Sequence, residues 1–296
     1  MQQAMIIMNP SSGKEQALEH IAAVESILRD KGYRVTVNKT TKVGDATNFC
    51  ISACGEVYDL VVSIGGDGTL HEVINGLSGQ NHRPKLGIIP LGTVNDFARA
   101  LQIPLDPAEA IQTLASSGVQ QVDVGRLNDR LFVNVVAAGS LAEAVSAVTS
   151  EDKSKLGAFA YLKEGLKDLT GTNTGHPLVI RHDGEIWEGE SPLFIAALTN
   201  SVGGFQKLAP EAAVDDGLLH CYIIKDLNLF KTLTVSLSLL LGNLKNHKDV
   251  IYFTAKKVHV TSADAIHTNV DGEEGPALPI ELSTIPRYIE VIVPEA

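Results

Sequence analysis

The amino-acid sequence predicts an α/β domain followed by a domain built mostly of antiparallel β-strands. The chain has 296 residues, which is more than one hydrophobic core usually serves. Strand and helix signals alternate through the first part of the chain, as in a mostly parallel sheet covered by helices. From about Val122 onwards, short strand patterns follow one another with turn residues between them. We therefore expect an α/β domain over residues 1–125 and a β domain over residues 126–285.

In the first half, each strand signal is a short apolar run and each helix signal repeats every three to four residues. Ala4–Met8 predicts the first strand and Tyr33–Val37 the second. Between them, an apolar face over Ile21–Leu28 predicts a helix that ends near Gly32. The remaining signals, in order, are the helix GDATNFCISACGE, the strand YDLVVSI, the helix TLHEVINGL, the strand KLGIIP and the helical run LGTVNDFARAL.

In the second half, turn residues separate successive strand patterns. Asn128 and Asp129 predict a turn within VDVGRLNDRLFVNVVAAG, and Asp183-Gly184 between two alternating runs is a strong hairpin signal. Further strands are predicted over SPLFIAALTN, LLHCYIIKD, KKVHVTS and RYIEVIVP. Two helical patterns interrupt the series, near Ser154–Leu169 and Leu227–Leu244.

The composition is that of a packed globular protein with an acidic balance. The hydrophobic fraction is 44%, the mean hydropathy is +0.10 and the formal net charge is −11. This charge and the 5% aromatic content argue against a general nucleic-acid binder, so no nucleic-acid partner is expected. Three cysteines without metal-ligand spacing and an N-terminus without a secretory pattern favour the cytoplasm. The longest apolar stretch, Leu233–Leu241, is too short to span a membrane.

Three loops have the residue types of a phosphate-binding turn. They are NPSSGK (Asn9–Lys14), IGGDG (Ile64–Gly68) and LGTVND (Leu91–Asp96). Each follows a predicted strand and precedes a helical pattern, so backbone N–H groups and the positive end of a helix dipole can face an anion. In a parallel sheet such loops gather at the carboxyl edge of the strands, where ligands bind. For GGDG alone, a tight turn in which Asp67 is a simple cap is an equally good interpretation.

The carboxylate at the centre of the glycine loop would repel phosphate oxygens unless a cation intervened. Mg²⁺ commonly binds one or two carboxylates together with substrate phosphates and keeps several waters. Asp96 and Asp123 fall at loop positions similar to that of Asp67, and Lys14 would add positive charge. The combination predicts a Mg·nucleotide site of the kind that serves phosphoryl transfer.

The stretch NVDGEEG (Asn269–Gly275) supplies two further carboxylates near a turn. Phosphoryl transfer to a hydroxyl benefits from a base that accepts the hydroxyl proton. If the stretch is extended, Asp271 and Glu273 share one face and both can point into a cleft. The alternative is a solvated acidic hairpin, and the stretch taken alone favours that alternative.

Taken together, these motifs resemble those of the diacylglycerol kinase catalytic family. GGDGTLHEVINGL, LGTVNDFARAL, NPSSGK, LAPEAAVDDGLL (Leu208–Leu219) and NVDGEEG occur in family order, and the resemblance covers essentially the whole chain. More narrowly, the sequence resembles the soluble bacterial lipid kinases of the YegS/BmrU type. GGDGT is shared with NAD kinases and phosphofructokinases, whereas GTVNDFAR and the DDG and DGE segments make the likeness to lipid kinases more specific.

The resemblance implies a fold and a set of site residues. The fold is an α/β nucleotide-binding domain of the NAD kinase/diacylglycerol kinase type and a C-terminal β-sandwich domain, with the active cleft between them. The final strand, about 286–296, is implied to return to the first domain. The residues implied to bind the nucleotide are Asn9, Pro10, Ser11, Ser12, Gly13, Thr40, Gly66, Asp67, Gly68, Thr69, Leu70, His71, Glu72 and Thr93.

The same resemblance implies catalytic roles for the carboxylates. Asp67, Asp96 and Asp123 would form a water-linked Mg²⁺ network at the phosphates. Glu273 would be the proton acceptor, with Asp271 close by.

A second Mg²⁺ with a structural role is implied in the β domain. It would be held by the Asp216 carboxylate and by the backbone carbonyls of Ala213 and Leu218. Without the resemblance, the segment 215–217 would be interpreted only as an acidic turn.

The sequence departs from the family pattern at two places. His71 stands where the family commonly has asparagine, and the charge of a histidine there would vary with pH. Glu274 and Pro276 follow the DGE segment, where many relatives are rich in glycine. Both departures are compatible with nucleotide binding, and they concern the identity of the phosphoryl acceptor.

The function implied is that of an ATP-dependent lipid kinase that phosphorylates the hydroxyl of diacylglycerol or a similar lipid, giving a phosphatidic-acid-type product. The alternative function is that of an NAD kinase-like or other small-metabolite kinase. A third interpretation is a nucleotide-binding regulator without catalytic activity. A homodimer is among the assemblies expected.

A lipid acceptor would bring the protein into transient contact with a membrane surface. Lys153, Lys155, Lys163 and Lys167 follow a helical pattern with apolar residues, which is typical of a peripheral membrane helix or of a solvated helix packed on the core. The Val235–Leu241 run is interpreted either as a core helix or as a lining for acyl chains. The expected location is therefore cytoplasmic, with peripheral membrane association during turnover.

Overall fold

The protein divides into two compact units. A computed structural model describes residues 1–13, 17–139, 175–204, 207–225, 234–235, 238–239 and 241–295. One unit comprises Met1–Val124 and Pro286–Ala296, and the other comprises Gly125–Ile285. Lys14 and the predicted helix near Ser154–Leu169, with its four lysines, lie outside the described residues, as does most of the predicted helix near Leu227–Leu244.

The first unit is a parallel sheet covered by helices, which confirms the α/β prediction. Its first four strands lie in the order β2-β1-β3-β4 and all pair in parallel. The strands are β1 (Gln3–Met8), β2 (Arg34–Lys39), β3 (Leu60–Gly65) and β4 (Lys85–Pro90). The helices are α1 (Ala17–Asp30), α2 (Asp45–Gly55), α3 (Asp67–Gly76), α4 (Asp96–Ala100) and α5 (Pro107–Thr113).

Burial explains why these apolar runs form the central strands. Every residue of β3 is buried, as is every residue of β1 after Gln3, because helices cover both faces of a parallel sheet. On the helices, α2 and α3 pack closely at Gly76, where an added Cβ would lie 2.6 Å from the Cβ of Cys50. The central strands of the sheet therefore present their loops from a buried base.

In the part that the structure describes, the regular elements of the second unit are almost all β-strands. In chain order its strands are β5 (Val119–Leu127), β6 (Arg130–Phe132), β7 (Val135–Ala138), β8 (His176–His182), β9 (Glu185–Ser191), β10 (Leu193–Ala197), β11 (Leu219–Ile224), β12 (Val250–Ala255), β13 (Lys257–Ser262), β14 (His267–Val270), β15 (Glu273–Ala277) and β16 (Ile280–Ile292). A short 3-10 helix covers Leu244–Asn246.

Two antiparallel sheets of this unit pack face to face, as the β-sandwich fold requires. One has the strand order β12-β11-β10-β7-β14-β15, and the other contains β9, β8, β13 and the first part of β16. Their facing side chains, such as Phe194, Cys221, Ile180 and Val260, form one buried core. Tyr222 lies on the opposite face of its sheet and is buried in a second cluster.

Turn chemistry sets the register of two hairpins, as predicted. Asp183 and Gly184 adopt φ values of +43° and +94°, and His182 pairs with Glu185 across the turn. The turn at Asn128 joins β5 to β6 in the same way. The turns predicted at Asn128-Asp129 and Asp183-Gly184 are therefore confirmed as hairpin turns.

Two strands, β5 and β16, contribute residues to both units. Within the second unit, the first part of β16 pairs with β13. Within the first unit, Val291 of β16 lies parallel to Leu86 of β4. In the described part of the chain, every helix is too short or too polar to cross a lipid bilayer.

Candidate active site

The three glycine-containing loops meet at the carboxyl ends of the parallel strands. After β1, the Asn9 N–H donates to the carbonyl of Ile64 at 3.0 Å. The side-chain amide of Asn9 lies 3.4 Å from the Thr69 hydroxyl, which belongs to the glycine loop and helix after β3. After β4, the Leu91 N–H donates to the Gly65 carbonyl at 2.8 Å. The sheet thus brings together the three loops that the sequence predicts as a phosphate site.

The backbones of two of these loops touch where both have glycine. A Cβ added to Gly92 would lie 2.8 Å from the Cα of Gly66, and one added to Gly66 would lie 3.1 Å from the Cα of Gly92. Gly13 approaches the third loop, since a Cβ there would lie 3.3 Å from the Cβ of Leu91. Glycine is therefore required here for close approach of the loops to one another.

Asn95 fixes the loop that follows β4. Its backbone is left-handed, with φ +55°, a conformation that asparagine tolerates better than most residues. Its side-chain oxygen accepts the Gly92 N–H at 2.9 Å, and its side-chain NH₂ donates to the Gly92 carbonyl at 2.8 Å. Thr93 lies exposed between these two ends of the loop.

Asp67 binds the backbone of the neighbouring loop. Its Oδ2 accepts the N–H of Asn95 at 2.8 Å, and its Oδ1 accepts the N–H of Asp96 at 3.1 Å. Because these N–H groups stand at the start of α4, they have no acceptor within that helix. The carboxylate in the glycine loop therefore caps a helix that belongs to another segment.

The other predicted nucleotide residues follow the same loops. The Ser11 N–H donates to the Asn9 side chain at 3.0 Å, and the Ser12 N–H donates to the Asn9 carbonyl at 3.1 Å. After β2, the Thr40 N–H donates to the Met8 carbonyl at 2.9 Å, which places Thr40 beside the loop that contains Pro10. The residues in the first turns of α3 are Gly68, Thr69, Leu70, His71 and Glu72, of which Thr69, Leu70 and His71 are buried.

Glu72 does not face the glycine loop with its carboxylate. Its two oxygens accept the N–H groups of Gly44 and Ala46, at 2.9 and 3.1 Å, at the start of α2. This contact was not predictable from a local pattern, because the partners lie 28 and 26 residues away along the chain.

Asp96 and Asp123 are both buried, at 8% and 3% exposure. The Oδ1 of Asp123 accepts the N–H of Arg287 at 2.7 Å, where the backbone of β16 has a φ of +51°. Carboxylate oxygens are suitable ligands for Mg²⁺. Among the residues that the structure describes, however, no three acidic, histidine or cysteine side chains converge tightly enough to hold a metal ion. Phosphate oxygens and water would have to complete any coordination shell here.

The DGE segment forms the turn of an acidic hairpin, which is the alternative that the stretch taken alone favours, rather than an extended strand. Asp271 and Gly272 have φ values of +50° and +89°, and Val270 pairs with Glu273 across them. The Gly272 N–H also donates to the Asn269 side chain at 3.1 Å. An Asp-Gly pair suits a two-residue hairpin turn because both positions need positive φ.

Asp271 and Glu273 consequently have different surroundings. The Asp271 carboxylate accepts three successive backbone N–H groups, those of Val133, Asn134 and Val135, at 2.8, 2.9 and 2.9 Å. The Glu273 side chain is exposed and has no hydrogen-bond partner among the described residues. Asp271 is therefore anchored, while Glu273 is open to accept a proton. The three N–H donors, which belong to the start of β7 and the two residues before it, were not predicted, because nothing in their sequence indicates a carboxylate partner.

The predicted structural metal site is a hydrogen-bonded acidic turn in this structure. The Asp216 carboxylate accepts the N–H groups of Ala213 and Leu218, at 3.0 and 2.9 Å, and lies 2.9 Å from the Nε2 of His220. The His220 Nδ1 lies 2.8 Å from the Tyr252 hydroxyl. Burial opposes ionisation of Asp216, but these hydrogen bonds outweigh it and hold its pKa below the ordinary value. His220 and Tyr252 were not predicted at this turn, and the metal role of Asp216 stays a prediction.

Glycine-containing loops at the carboxyl edge of a parallel sheet are typical of enzymes that bind a phosphorylated nucleotide. The first part of the chain, residues 3–127, matches the family model of the diacylglycerol kinase catalytic domain. Residues 134–293 match that of the YegS C-terminal NAD kinase beta sandwich-like domain. The chain belongs to the diacylglycerol kinase family and is a kinase, a class whose phosphoryl donor is ATP.

Similarity to individual relatives extends over the whole chain. A protein named diacylglycerol kinase from Bacillus subtilis (strain 168) is 39% identical over 296 residues, which are 100% of this chain and 97% of that protein. A protein of the same name from Staphylococcus aureus (strain bovine RF122 / ET3-1) is 40% identical over 291 residues, 98% of this chain and 92% of that protein.

Solved structures have the same fold. A crystal structure of a diacylglycerol kinase from Bacillus anthracis str. Sterne superimposes with a TM-score of 0.77 at 25% identity, over 99% of this chain and 97% of that one. Another crystal structure from the same organism gives a TM-score of 0.86 at 26% identity, over 99% and 95% of the two chains. These likenesses confirm the combination of an α/β domain with a C-terminal β-sandwich.

Proposed function

We propose that this protein is an ATP-dependent lipid kinase that transfers the γ-phosphoryl group to the hydroxyl of diacylglycerol or a similar lipid. The product is of the phosphatidic-acid type. The observation that carries the proposal is the exposed, unpartnered carboxylate of Glu273, held on a turn that Asp271 anchors to three backbone N–H groups. The name diacylglycerol kinase, which relatives similar over the whole chain bear, supports a lipid as the acceptor class.

The donor nucleotide is assigned to the loops of the first unit. The N–H groups of the Gly66–Thr69 turn would face the triphosphate, the start of α3 would add its positive dipole end, and the Asn9–Gly13 loop would border the same site. The contact between Gly66 and Gly92 supports this assignment, because it keeps two of the loops in one fixed arrangement. Thr40 and Thr93 supply hydroxyl groups at the two sides of the site.

Mg²⁺ is assigned to Asp67, Asp96 and Asp123, with phosphate oxygens and water as further ligands. When bound, the ion would neutralise charge on the phosphates and orient them for transfer. Asp67 lies in the glycine loop itself, where its carboxylate accepts the N–H groups of Asn95 and Asp96 at the start of α4. The donor chemistry of these carboxylates therefore fits a hard divalent cation.

The chemical step transfers one proton and one phosphoryl group. The hydroxyl of the acceptor gives its proton to the Glu273 carboxylate as its oxygen bonds to the γ-phosphorus. The bond between the γ-phosphorus and the β,γ-bridging oxygen breaks, and ADP leaves with the electron pair. Asp271 holds the turn and thereby the position of the base; we assign it no proton transfer.

The acceptor would be reached at a membrane surface. We propose transient peripheral association of a cytoplasmic protein, which acts as a monomer or a homodimer. The lysine-bearing segment near Ser154–Leu169 is the predicted contact, and flotation with vesicles that contain or lack anionic lipid tests it.

The experiment that tests the function measures transfer of labelled phosphate from ATP with Mg²⁺ into mixed micelles. Diacylglycerol, a sphingosine-like lipid and NAD are offered in parallel. We expect label in the organic phase that depends on diacylglycerol. Label in NAD would overturn the lipid acceptor while keeping the donor site, and transfer to none of the three would refute all of these acceptors.

A further inference from the structure

We propose that Glu72 is a positioning residue that sets the affinity for the nucleotide by holding the Thr40–Ala46 segment against α3. In this assignment its carboxylate does not contact the nucleotide, in contrast to the role that the family resemblance implies. The inference rests on the proposed function, since the donor site it concerns is the same one.

Glu72 joins two helices through their backbone. Its Oε1 accepts the Gly44 N–H at 2.9 Å, and its Oε2 accepts the Ala46 N–H at 3.1 Å. These groups stand at the start of α2, where the first N–H groups lack acceptors within the helix. Gly44 has no side chain with which to cap the helix itself, so α3 supplies the cap from outside.

A second bond strengthens the junction. The Thr47 hydroxyl donates to the backbone carbonyl of Glu72 at 2.9 Å. The two helices also pack without a spacer at Gly76, where an added Cβ would lie 2.6 Å from that of Cys50. The orientation of α2 is therefore determined by α3, the helix that begins with the glycine loop.

The segment that leads into α2 carries the predicted nucleotide residue Thr40. Its N–H is bonded to the Met8 carbonyl at one end. In the middle, the Asp45 carboxylate accepts the N–H groups of Thr41 and Lys42, at 2.8 and 3.1 Å. At the other end, Glu72 holds the backbone of Gly44 and Ala46. Loss of the Glu72 carboxylate removes these two hydrogen bonds, and the Thr40–Ala46 segment can then adopt conformations other than the one that binds the nucleotide.

Loss of the cap should weaken nucleotide binding through the population of the competent arrangement. A protein that is competent for only a fraction of the time binds with an affinity reduced by that fraction. Removal of a helix-capping side chain shifts such an equilibrium by about fivefold. We therefore expect the Kd for MgATP to rise by up to about fivefold in Glu72→Ala, and by less in Glu72→Gln, which keeps one acceptor oxygen.

Asp106→Ala provides the matched control. The Asp106 carboxylate caps α5 in the same unit, accepting the Glu109 N–H at 3.0 Å, and α5 packs on β4. Both alanine variants lose a capping carboxylate, so both should unfold at a lower temperature. Only Glu72→Ala should bind MgATP more weakly, whereas Asp106→Ala should stay within about twofold of the wild type.

Isothermal titration of full-length protein with MgATP, ADP, 2′-deoxy-ATP and ITP tests the proposal. The expected result is one common rise in Kd for all four nucleotides, with faster hydrogen exchange over residues 40–46. An unchanged Kd, or a change in the ranking of the four nucleotides, would overturn it, the second result because it indicates direct contact. If Glu72→Ala does not fold, Glu72→Gln decides on the same criteria.

The titration separates this inference from the proposed function. A wild-type protein that binds no MgATP would refute the donor assignment and the inference together. A wild-type protein that binds MgATP, with variants that bind it equally well, would refute the role of Glu72 alone.

Discussion

The loops of the first unit and the β14–β15 hairpin of the second use their carboxylates differently. On α3, Asp67 and Glu72 each accept two backbone N–H groups from other segments, so both are engaged in building the loops. On the hairpin, Asp271 is engaged in the same way, but Glu273, two residues further on, is exposed and has no partner among the described residues. The hydrogen-bond partners of a carboxylate, and not its position in a motif, therefore indicate whether it holds the backbone of the site in place or is available to react.

The largest effect is expected at the β14–β15 hairpin, where the anchored carboxylate of Asp271 and the exposed carboxylate of Glu273 are two residues apart. Glu273→Ala should lower kcat by about 10²- to 10⁴-fold, because it removes the base that accepts the hydroxyl proton. Its thermal unfolding should stay unchanged, since the side chain makes no hydrogen bond within the described structure. Added formate should restore part of the activity by acting as the missing base. Steady-state kinetics with diacylglycerol micelles, with and without formate, measure both expectations.

Asp271→Ala is the control for that rescue. It should lower kcat and also cost about 2–3 kcal/mol of stability, because three N–H groups lose a charged acceptor. Formate should not restore its activity, since the anchor is part of the backbone turn. Equal rescue of both variants would break the distinction between anchor and base, and Asp271→Asn repeats the test if the alanine variant is unfolded.

An intermediate effect is expected where the loops of the first unit touch. Gly92→Ala would put a Cβ 2.8 Å from the Gly66 Cα and 2.7 Å from the Asn95 side-chain oxygen, so backbone atoms must move. We expect a loss of about 1–3 kcal/mol in stability and weaker MgATP binding. Calorimetric unfolding and titration with MgATP measure the two effects.

Gly55→Ala is the matched control for that substitution. Gly55 ends α2, has open space at its Cβ position and does not need a positive φ. Alanine there should change stability by less than about 1 kcal/mol, in the stabilising direction. A Gly92→Ala variant that behaves like this control would show that the loop contact is unimportant.

The smallest effect concerns Asp45, the exposed counterpart of Glu72. Hydrogen bonds from the Thr41 N–H and hydroxyl hold the pKa of Asp45 below its ordinary value of 3.8. A carboxyl whose folded pKa is depressed stabilises the protein above its unfolded pKa, and this contribution disappears as the pH falls through the folded pKa. The contribution of Asp45 should therefore be lost only below about pH 4. Carbon-13 NMR of the carboxyl group measures the midpoint, and Thr41→Val should raise it. A midpoint at or above 3.8 in the wild type would contradict the expectation.

Local sequence signals predicted most of the fold. Asp183-Gly184 identified its hairpin because the alternating strands on either side were visible in the same stretch. At Asp271-Gly272 the stretch taken alone also favours an acidic hairpin, and the backbone forms that turn. The turn signal does not specify which of the two carboxylates can react.

The contacts of the candidate site were less predictable than its location. Three loops at one edge of a sheet follow from strand and helix periodicity, and the structure brings them together. The partners of Asp67 and Glu72 lie 26 to 29 residues away and are backbone N–H groups, which every residue except proline possesses. No pattern of residue types can identify such a partner, so only the folded chain reveals which carboxylates are engaged.

The two-residue turn at Asp271-Gly272 also limits how this region can vary. The anchor and the base are separated by a single glycine, so an insertion or deletion between them would rotate one carboxylate away from the other. Length variation should be accepted in the outer loops of the sandwich and rejected here. In a library of single-residue insertions, we therefore expect fewer active variants with an insertion in this hairpin than with an insertion in the outer loops of the second unit.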